Sequence, residues 1–297
     1  MRIGFHNSIA GSLENAGLHA ARIGANTLQI FSSSPRQWKA SVLSKPAIQL
    51  LNRAREKFDL HPLVIHDNYL INLASGQQDI RKMSIAAFRG ELERGIALGA
   101  EYLVAHPGNY KGTTIERGIL NFIEGVAEAA QGLQFEKLML LIENTVGAGA
   151  QLGGKLEELH VMRDYGTKLT DLPIGFCLDT CHLLASGYDI VEQAGLEKTI
   201  ADAERLLGLD NVRVIHSNDS KGALGSHLDR HANIGQGYIG LEGFRRILNH
   251  PKLQDKAFIL ETPVENEGDD RRDIDTLKSL CRKSSPITPT TTTTKSS

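Results

Sequence analysis

Short apolar runs, each closed by a polar residue, alternate along this chain with longer segments in which apolar residues return every three or four positions. The short runs fall at residues 2–5, 27–31, 63–66, 102–106, 139–143, 174–179, 212–216 and 257–261. Most are near-continuous stretches of Val, Ile, Leu and Phe, as expected of strands covered on both faces. The longer segments, at residues 13–23, 45–58, 80–98, 115–131, 156–165, 196–207, 241–248 and 270–282, carry the helical period. Strict alternation of the two predicts parallel strands joined by right-handed crossovers, and eight such units close a ring. The expected fold is α/β, a (β/α)8 TIM barrel, with an open doubly wound sheet as the alternative.

The residues that close the runs give the barrel a chemistry. LVIH ends in His66, YLVAH in His106, MLLIE in Glu143, IGFCLD in Asp179, VRVIH in His216 and AFILE in Glu261. The C-terminal ends of barrel strands all open on one face, so these six converge there, and His182, Asp229 and His231 lie a few residues past strand ends in the same loops. A lone histidine at a strand end is more often a hydrogen-bonded rim residue than a ligand, but chance does not place nine such residues at one topological position. Imidazoles and carboxylates suit zinc-like divalent cations, and nine of them suit two or three ions, with Glu143 bridging. Three such ions outweigh four carboxylates and leave a positive mouth on a chain whose net charge is -2. Phosphodiester hydrolysis uses that arrangement most fully; a metal-dependent sugar isomerase or epimerase needs a similar ligand set and stays open.

Composition narrows the setting. At 297 residues and 41% apolar, the chain can bury one large core, assigned to residues 1–282. The Ser/Thr/Pro-rich stretch 283–297 offers almost nothing to bury and is expected to be a disordered tail. The charge balance gives no sign of a polybasic nucleic-acid binder. Three cysteines, Cys177, Cys181 and Cys281, argue for a reducing compartment rather than a disulfide scaffold. The first residues do not read as a signal peptide and no apolar run is long enough for a membrane span, so a soluble cytoplasmic protein is expected.

Two loops on the metal face bear on the substrate: SSPRQWK (33–39) and HDNYLINLA (66–74). Arg36 can pair with a backbone phosphate, while Tyr69 and Leu70 have the character of a wedge that fills a gap in a base stack. Packing of Trp38, Tyr69 and Leu70 onto the rim is the plainer reading. His6, closing the first run, is expected to line the pocket as a donor behind the ligands.

HDNYLINLA, AHPGN, LLIENT, GFCLDTCH, HSNDSKGALGSHLDRHANIGQG and ILET together resemble the endonuclease IV family of apurinic/apyrimidinic endonucleases, over about residues 2–280. The resemblance implies a zinc-dependent enzyme of DNA base excision repair. His66, His106 and bridging Glu143 would hold one of three zinc ions. Glu143, Asp179, His216 and Glu261 would hold the second, and His182, Asp229 and His231 the third. It also implies cleavage of the phosphodiester 5′ to an abasic site in double-stranded DNA, with Glu143 and Glu261 as the catalytic carboxylates and Glu143 orienting the attacking water. Products would be a 3′-hydroxyl and a 5′-deoxyribose phosphate, and blocked 3′ ends would be removed by the same metals. Arg36, Tyr69 and Leu70 would enter the duplex at the lesion. An open face suits a monomer. The sequence departs from the family pattern at Ser12, Val146 and Ala148, none of them a candidate ligand.

Overall fold

In the computed structural model, which describes residues 1–40 and 42–281, the eight expected strands form one closed parallel barrel. In chain order its strands are β1 (Arg2–Asn7), β2 (Thr27–Phe31), β3 (Leu63–His66), β4 (Tyr102–Ala105), β5 (Met139–Glu143), β6 (Ile174–Asp179), β7 (Val212–His216) and β10 (Ala257–Leu260). Each pairs with its neighbours in sequence order, and β10 closes onto β1 through Arg2–Ala257 and the three pairs that follow. The open doubly wound alternative is excluded, since a doubly wound sheet keeps two free edges. Residues 282–297, including the tail read from composition, lie outside the described residues.

The helices packed around the barrel are α1 (Leu13–Arg22), α2 (Lys45–Phe58), α3 (Gln78–Leu98), α4 (Ile115–Ala130), α5 (Leu156–Leu169), α7 (Gln193–Leu207), α8 (Gly240–Leu248) and α9 (Asp269–Leu280). Their starts follow side-chain caps where the sequence supplies them: the hydroxyls of Ser12, Ser44 and Thr114 accept from the backbone N–H of Asn15, Ala47 and Arg117. Ser12, a departure from the family pattern, thus has a local structural role.

Four elements escaped the periodicity. Asp179 accepts from the His182 N–H and so caps α6 (Thr180–Ser186), a helix ended by left-handed Gly187 and too short to show a period. The strands β8 (Asp219–Ser220) and β9 (His231–Ala232) make a two-residue antiparallel ladder within the long loop after β7. A 3-10 turn at Leu209–Asn211 precedes β7.

Side chains alternate along each strand, so the barrel has an inner and an outer apolar set. Leu63, Ile65, Leu103, Leu140, Ile142 and Phe258 belong to the layer shared with the helices. Val64, Val104, Leu141, Cys177, Val214, Ala257 and Ile259 form a separate cluster inside the barrel. Close strand packing requires glycine where neighbours crowd the inner wall: a Cβ on Gly4 in β1 would overlap the Thr27 carbonyl oxygen of β2. Gly4→Ala is therefore expected to lower stability by about 1–3 kcal/mol, read as a drop in thermal midpoint; an unchanged midpoint would show that the two strands can part at no cost.

Candidate metal centre

Each ligand candidate on a strand continues the inner face by one step of two residues: Val64 to His66, Val104 to His106, Leu141 to Glu143, Cys177 to Asp179, Val214 to His216 and Ile259 to Glu261. The apolar floor of the barrel therefore turns into a polar ring at its C-terminal mouth. His106 and Glu261 stand one residue past the paired ends of β4 and β10, still on that ring.

Glu143 is fully buried at the centre. Its Oε2 lies 3.3 Å from His66 Nε2 and 3.0 Å from His106 Nε2. Its Oε1 lies 2.9 Å from His216 Nδ1 and 3.5 Å from His182 Nδ1. One carboxylate thus presents its two oxygens to different sets of imidazoles. Among the described residues, sets whose donor atoms lie within 4.8 Å of one another include His66, His106 and Glu143; Glu143, Asp179, His216 and Glu261; and His182, Asp229 and His231, while two further sets bring in Cys177 with Glu143 and His216 and Cys181 with Asp179 and His231. All nine candidates from the sequence fall in these groups. In the third, Asp229 Oδ1 is 3.3 Å from His182 Nε2 and 3.7 Å from His231 Nε2.

The surroundings aim these donors. Nδ1 of His66 faces the Asp67 carbonyl at 3.0 Å, that of His182 the Asn144 carbonyl at 2.8 Å and that of His231 the Glu261 carbonyl at 3.2 Å. A carbonyl only accepts, so each of these rings keeps a proton on Nδ1 and leaves Nε2 toward the mouth for a cation, the arrangement that orients a histidine ligand. His231 Nε2 is buried and has no hydrogen-bond partner, as a nitrogen waiting for a cation should be. Asn218 ties two ligands together: it donates to Asp179 Oδ2 at 2.6 Å and accepts from the Glu261 N–H at 2.7 Å. Asn144 accepts from the Asp179 N–H at 2.7 Å. The residues present fit a cluster of divalent cations.

Without a cation the charges must be met by protons. Burial disfavours a charged His66, but its hydrogen bond to Glu143 and the Glu261 charge override that and raise its pKa to about 9. Burial likewise opposes charge on His182, yet Asp179, Asp229 and Glu143 raise it to about 10. Burial penalises ionised Glu143 and Glu261, and His216 more than compensates, holding both well below the usual range. The thiols of Cys177 and Cys181 are pushed up to about 12 chiefly by burial, which suits inert interior residues rather than ligands.

His6 lies within β1 and lines the mouth, with Nδ1 3.2 Å from Glu261 Oε1. Arg36 is exposed, Tyr69 is 64% exposed and Leu70 is half-buried. Tyr69 stands edge-on to Phe31, ring centroids 5.0 Å apart, and its loop is tied to the Arg36 loop by an Asn68 side chain donating to the Gln37 carbonyl at 2.6 Å. These loops rise beside a cavity of about 600 Å³ lined by ligand histidines, Tyr69, Asp229 and Glu261, with Lys221 and Arg230 on its wall. His227 holds two loops together through Nδ1, 2.6 Å from the Val146 carbonyl.

Sequence reasoning gave no role to Gln29, Asn144, Asn218 or Asp219. Asp219 is completely buried and accepts from the backbone N–H groups of Ser220, Gly235, Gly237, Ile239 and Gly240 at 2.8 to 3.4 Å. It thereby folds the loop that carries Asp229 and His231. The signal available was its place in HSND beside a run of glycines.

A ring of imidazoles and carboxylates at the C-terminal mouth of a (β/α)8 barrel defines the class, and residues 18–280 match the family model described as xylose isomerase-like TIM barrel. A "Probable endonuclease 4" of Solibacter usitatus is 59% identical over 287 residues, covering 97% of this chain and 99% of the relative. "Endonuclease 4" of Thermus thermophilus is 39% identical, covering 90% of this chain and 94% of the relative. A crystal structure of endonuclease IV from Thermus thermophilus superposes with a TM-score of 0.83 at 37% identity, covering 94% of this chain and 98% of that one. The chain belongs to the endonuclease IV family of apurinic/apyrimidinic endonucleases. A D-tagatose 3-epimerase-like protein, at 19% identity and a TM-score of 0.69 over 94% of this chain and 97% of that one, shares the fold alone.

Two outcomes are expected. The raised pKa values of His66 and His182 add stability to the metal-free protein that is complete below their unfolded value of 6.5 and is lost as pH rises through about 9 to 10. Thermal melts of chelator-stripped protein should therefore weaken from pH 7 to pH 10, and a flat profile would contradict the charge balance described. Asp219→Asn replaces an acceptor by an N–H₂ group facing backbone donors, at a cost of about 2–4 kcal/mol, measured by denaturant unfolding; a change under about 0.5 kcal/mol would remove Asp219 as the organiser of its loop.

Proposed function

We propose that this chain hydrolyses the phosphodiester bond 5′ to an abasic deoxyribose in duplex DNA, leaving a 3′-hydroxyl and a 5′-deoxyribose phosphate, and that it clears blocked 3′ ends at the same site. Membership of the endonuclease IV family makes it a nuclease. The observation that carries the finer reading is Glu143, fully buried with imidazoles against both oxygens, of which those of His66, His106 and His182 line a cavity of about 600 Å³. In this reading three zinc ions are held by His66, His106 and Glu143; by Glu143, Asp179, His216 and Glu261; and by His182, Asp229 and His231. Bound there, they would lower the pKa of water, neutralise phosphate charge and favour departure of the 3′-oxygen.

The protein's own part is positioning. Glu143 orients the attacking water, and Glu261 supplies the opposing carboxylate. Lys221 and Arg230 add positive charge at the wall, where a phosphate enters. Exposed Tyr69 and half-buried Leu70 occupy the space left in the base stack while Arg36 pairs with the backbone. An abasic nucleotide has already lost its stacking and pairing, so turning it into the cavity costs less than for a normal one, and selectivity follows.

The substrate-bearing face is open, which suits a monomer; no helix among the described residues is long and apolar enough to cross a membrane. Three free cysteines suit a reducing, cytoplasmic setting. A sugar isomerase would share the fold, but it has no use for the loop pair that carries exposed Arg36 and Tyr69 with Leu70 beside them.

The test is cleavage of a duplex oligonucleotide carrying one abasic analogue. Cleavage should vanish with chelator and return with zinc. His66→Ala and Glu143→Ala should each lose more than the roughly 10–100-fold typical of removing a group behind a metal ligand, while duplex binding weakens but stays measurable. Wild-type turnover in either variant would overturn the assignment.

A further inference from the structure

Gln29 is the one amide in the strand TLQIF, and it is fully buried on the inner wall of the barrel. Its register partners are His6 on β1 and Val64 on β3, which places it one layer beneath the ligand ring. From there it reaches two of the nine candidate ligands. Its Nε2 lies 2.5 Å from Glu261 Oε1, and its Oε1 lies 2.8 Å from His216 Nε2.

The chemistry of these partners fixes the orientation of the amide. Glu261 as a carboxylate only accepts, so the NH₂ end of Gln29 must face it; the reversed amide would set two oxygens against each other. The carbonyl end then faces His216, which must carry a proton on Nε2 to donate to it. His216 therefore leaves Nδ1, not Nε2, toward the mouth as the nitrogen a cation would take, 2.9 Å from Glu143 Oε1 and 3.5 Å from Glu261 Oε2. Three other ring ligands (His66, His182 and His231) have Nδ1 against a backbone carbonyl and present Nε2. His216 is turned the opposite way, and a side chain rather than the backbone turns it.

We propose that Gln29 is a positioning residue for the four-donor metal site: one carboxamide selects the tautomer of His216 and clamps the rotamer of Glu261, so that both ligands are aimed before a cation arrives. The inference rests on the proposed metal cluster and adds a residue to it. An orienting partner of this kind typically changes metal affinity by about 10–100-fold. Its loss is expected in the retention of metal and not only in turnover.

The experiment uses the full chain loaded with zinc. Gln29→Met keeps the volume and removes the hydrogen bonds to Glu261, His216 and His6; Gln29→Glu keeps the shape and an acceptor for His216 but sets a carboxylate against Glu261. Both should release at least one zinc ion to an excess of chromogenic chelator about 10–100-fold faster than wild type. The gain in thermal midpoint on adding zinc should shrink, while the midpoints of the stripped proteins stay close. A purely space-filling side chain predicts wild-type release from Gln29→Met, and that result would overturn the proposal; if Gln29→Met does not fold, the isosteric Glu variant carries the same comparison. Wild-type protein that takes up no zinc would sink the metal-cluster reading itself, a failure distinct from equal release by wild type and variants.

Discussion

A carboxylate with no exposed surface stands at the centre of this molecule, and the rest of the site is arranged around the cost of keeping it there. Ionised Glu143 in an apolar barrel would be prohibitive alone, because burial removes the water that stabilises its charge. It is tolerated because imidazoles from β3, β7, α6 and the end of β4 close on both oxygens within 3.5 Å. Those imidazoles in turn gather three more acids, Asp179, Asp229 and Glu261. The cluster is balanced only when protons or cations occupy the spaces between, and the ring orientations favour cations.

Barrel closure makes this possible. His66 and Glu261 are nearly two hundred residues apart, yet both extend the inner face of a strand by the same step of two. The parallel arrangement turns that step into convergence, since every strand's C-terminal end opens on one face. A change of register by one residue would send the whole set of a strand outward, into the helix layer. The apolar residues at the floor therefore specify the ligand positions as firmly as the ligands' own contacts do.

This explains which parts were legible in the sequence. LVIH, MLLIE, VRVIH and AFILE displayed strand and ligand candidate together, because six apolar runs stop at a histidine or acid on the same face of the barrel. The strands and six of the nine ligand candidates could be placed on that logic, and His182, Asp229 and His231 followed as loop residues a few positions past strand ends. Gln29 was not legible, since a single amide inside an apolar run looks the same whether it spans two ligands or fills a gap. Asn144 and Asn218 follow ligand-bearing strands but act on a neighbouring strand's residue, which no local pattern encodes. Asp219 was hidden for a different reason: its partners are backbone groups of residues 220 to 240, so its role exists only once that loop is folded. The short helix α6 and the β8–β9 ladder arise from caps and hubs of the same tertiary origin.

The three donor groups also differ in how they are held. Those around Glu143 stand on or next to strands and are braced by Asn218 beyond the end of β7 and by Gln29 from below. The third draws Asp229 and His231 from a loop that Asp219 folds, and the Asp229 side chain is 47% exposed. Rigid strands thus fix the part of the site where the geometry of attack must be set, while the loop supplies donors at the side that faces substrate. A common barrel supplies the convergent mouth, and the loops that surround it decide what can be brought there. In this chain the loops bring an exposed tyrosine, an arginine and two wall cations to a deep anionic-ligand pocket, a set whose size and charge match a sugar-phosphate backbone better than a free sugar.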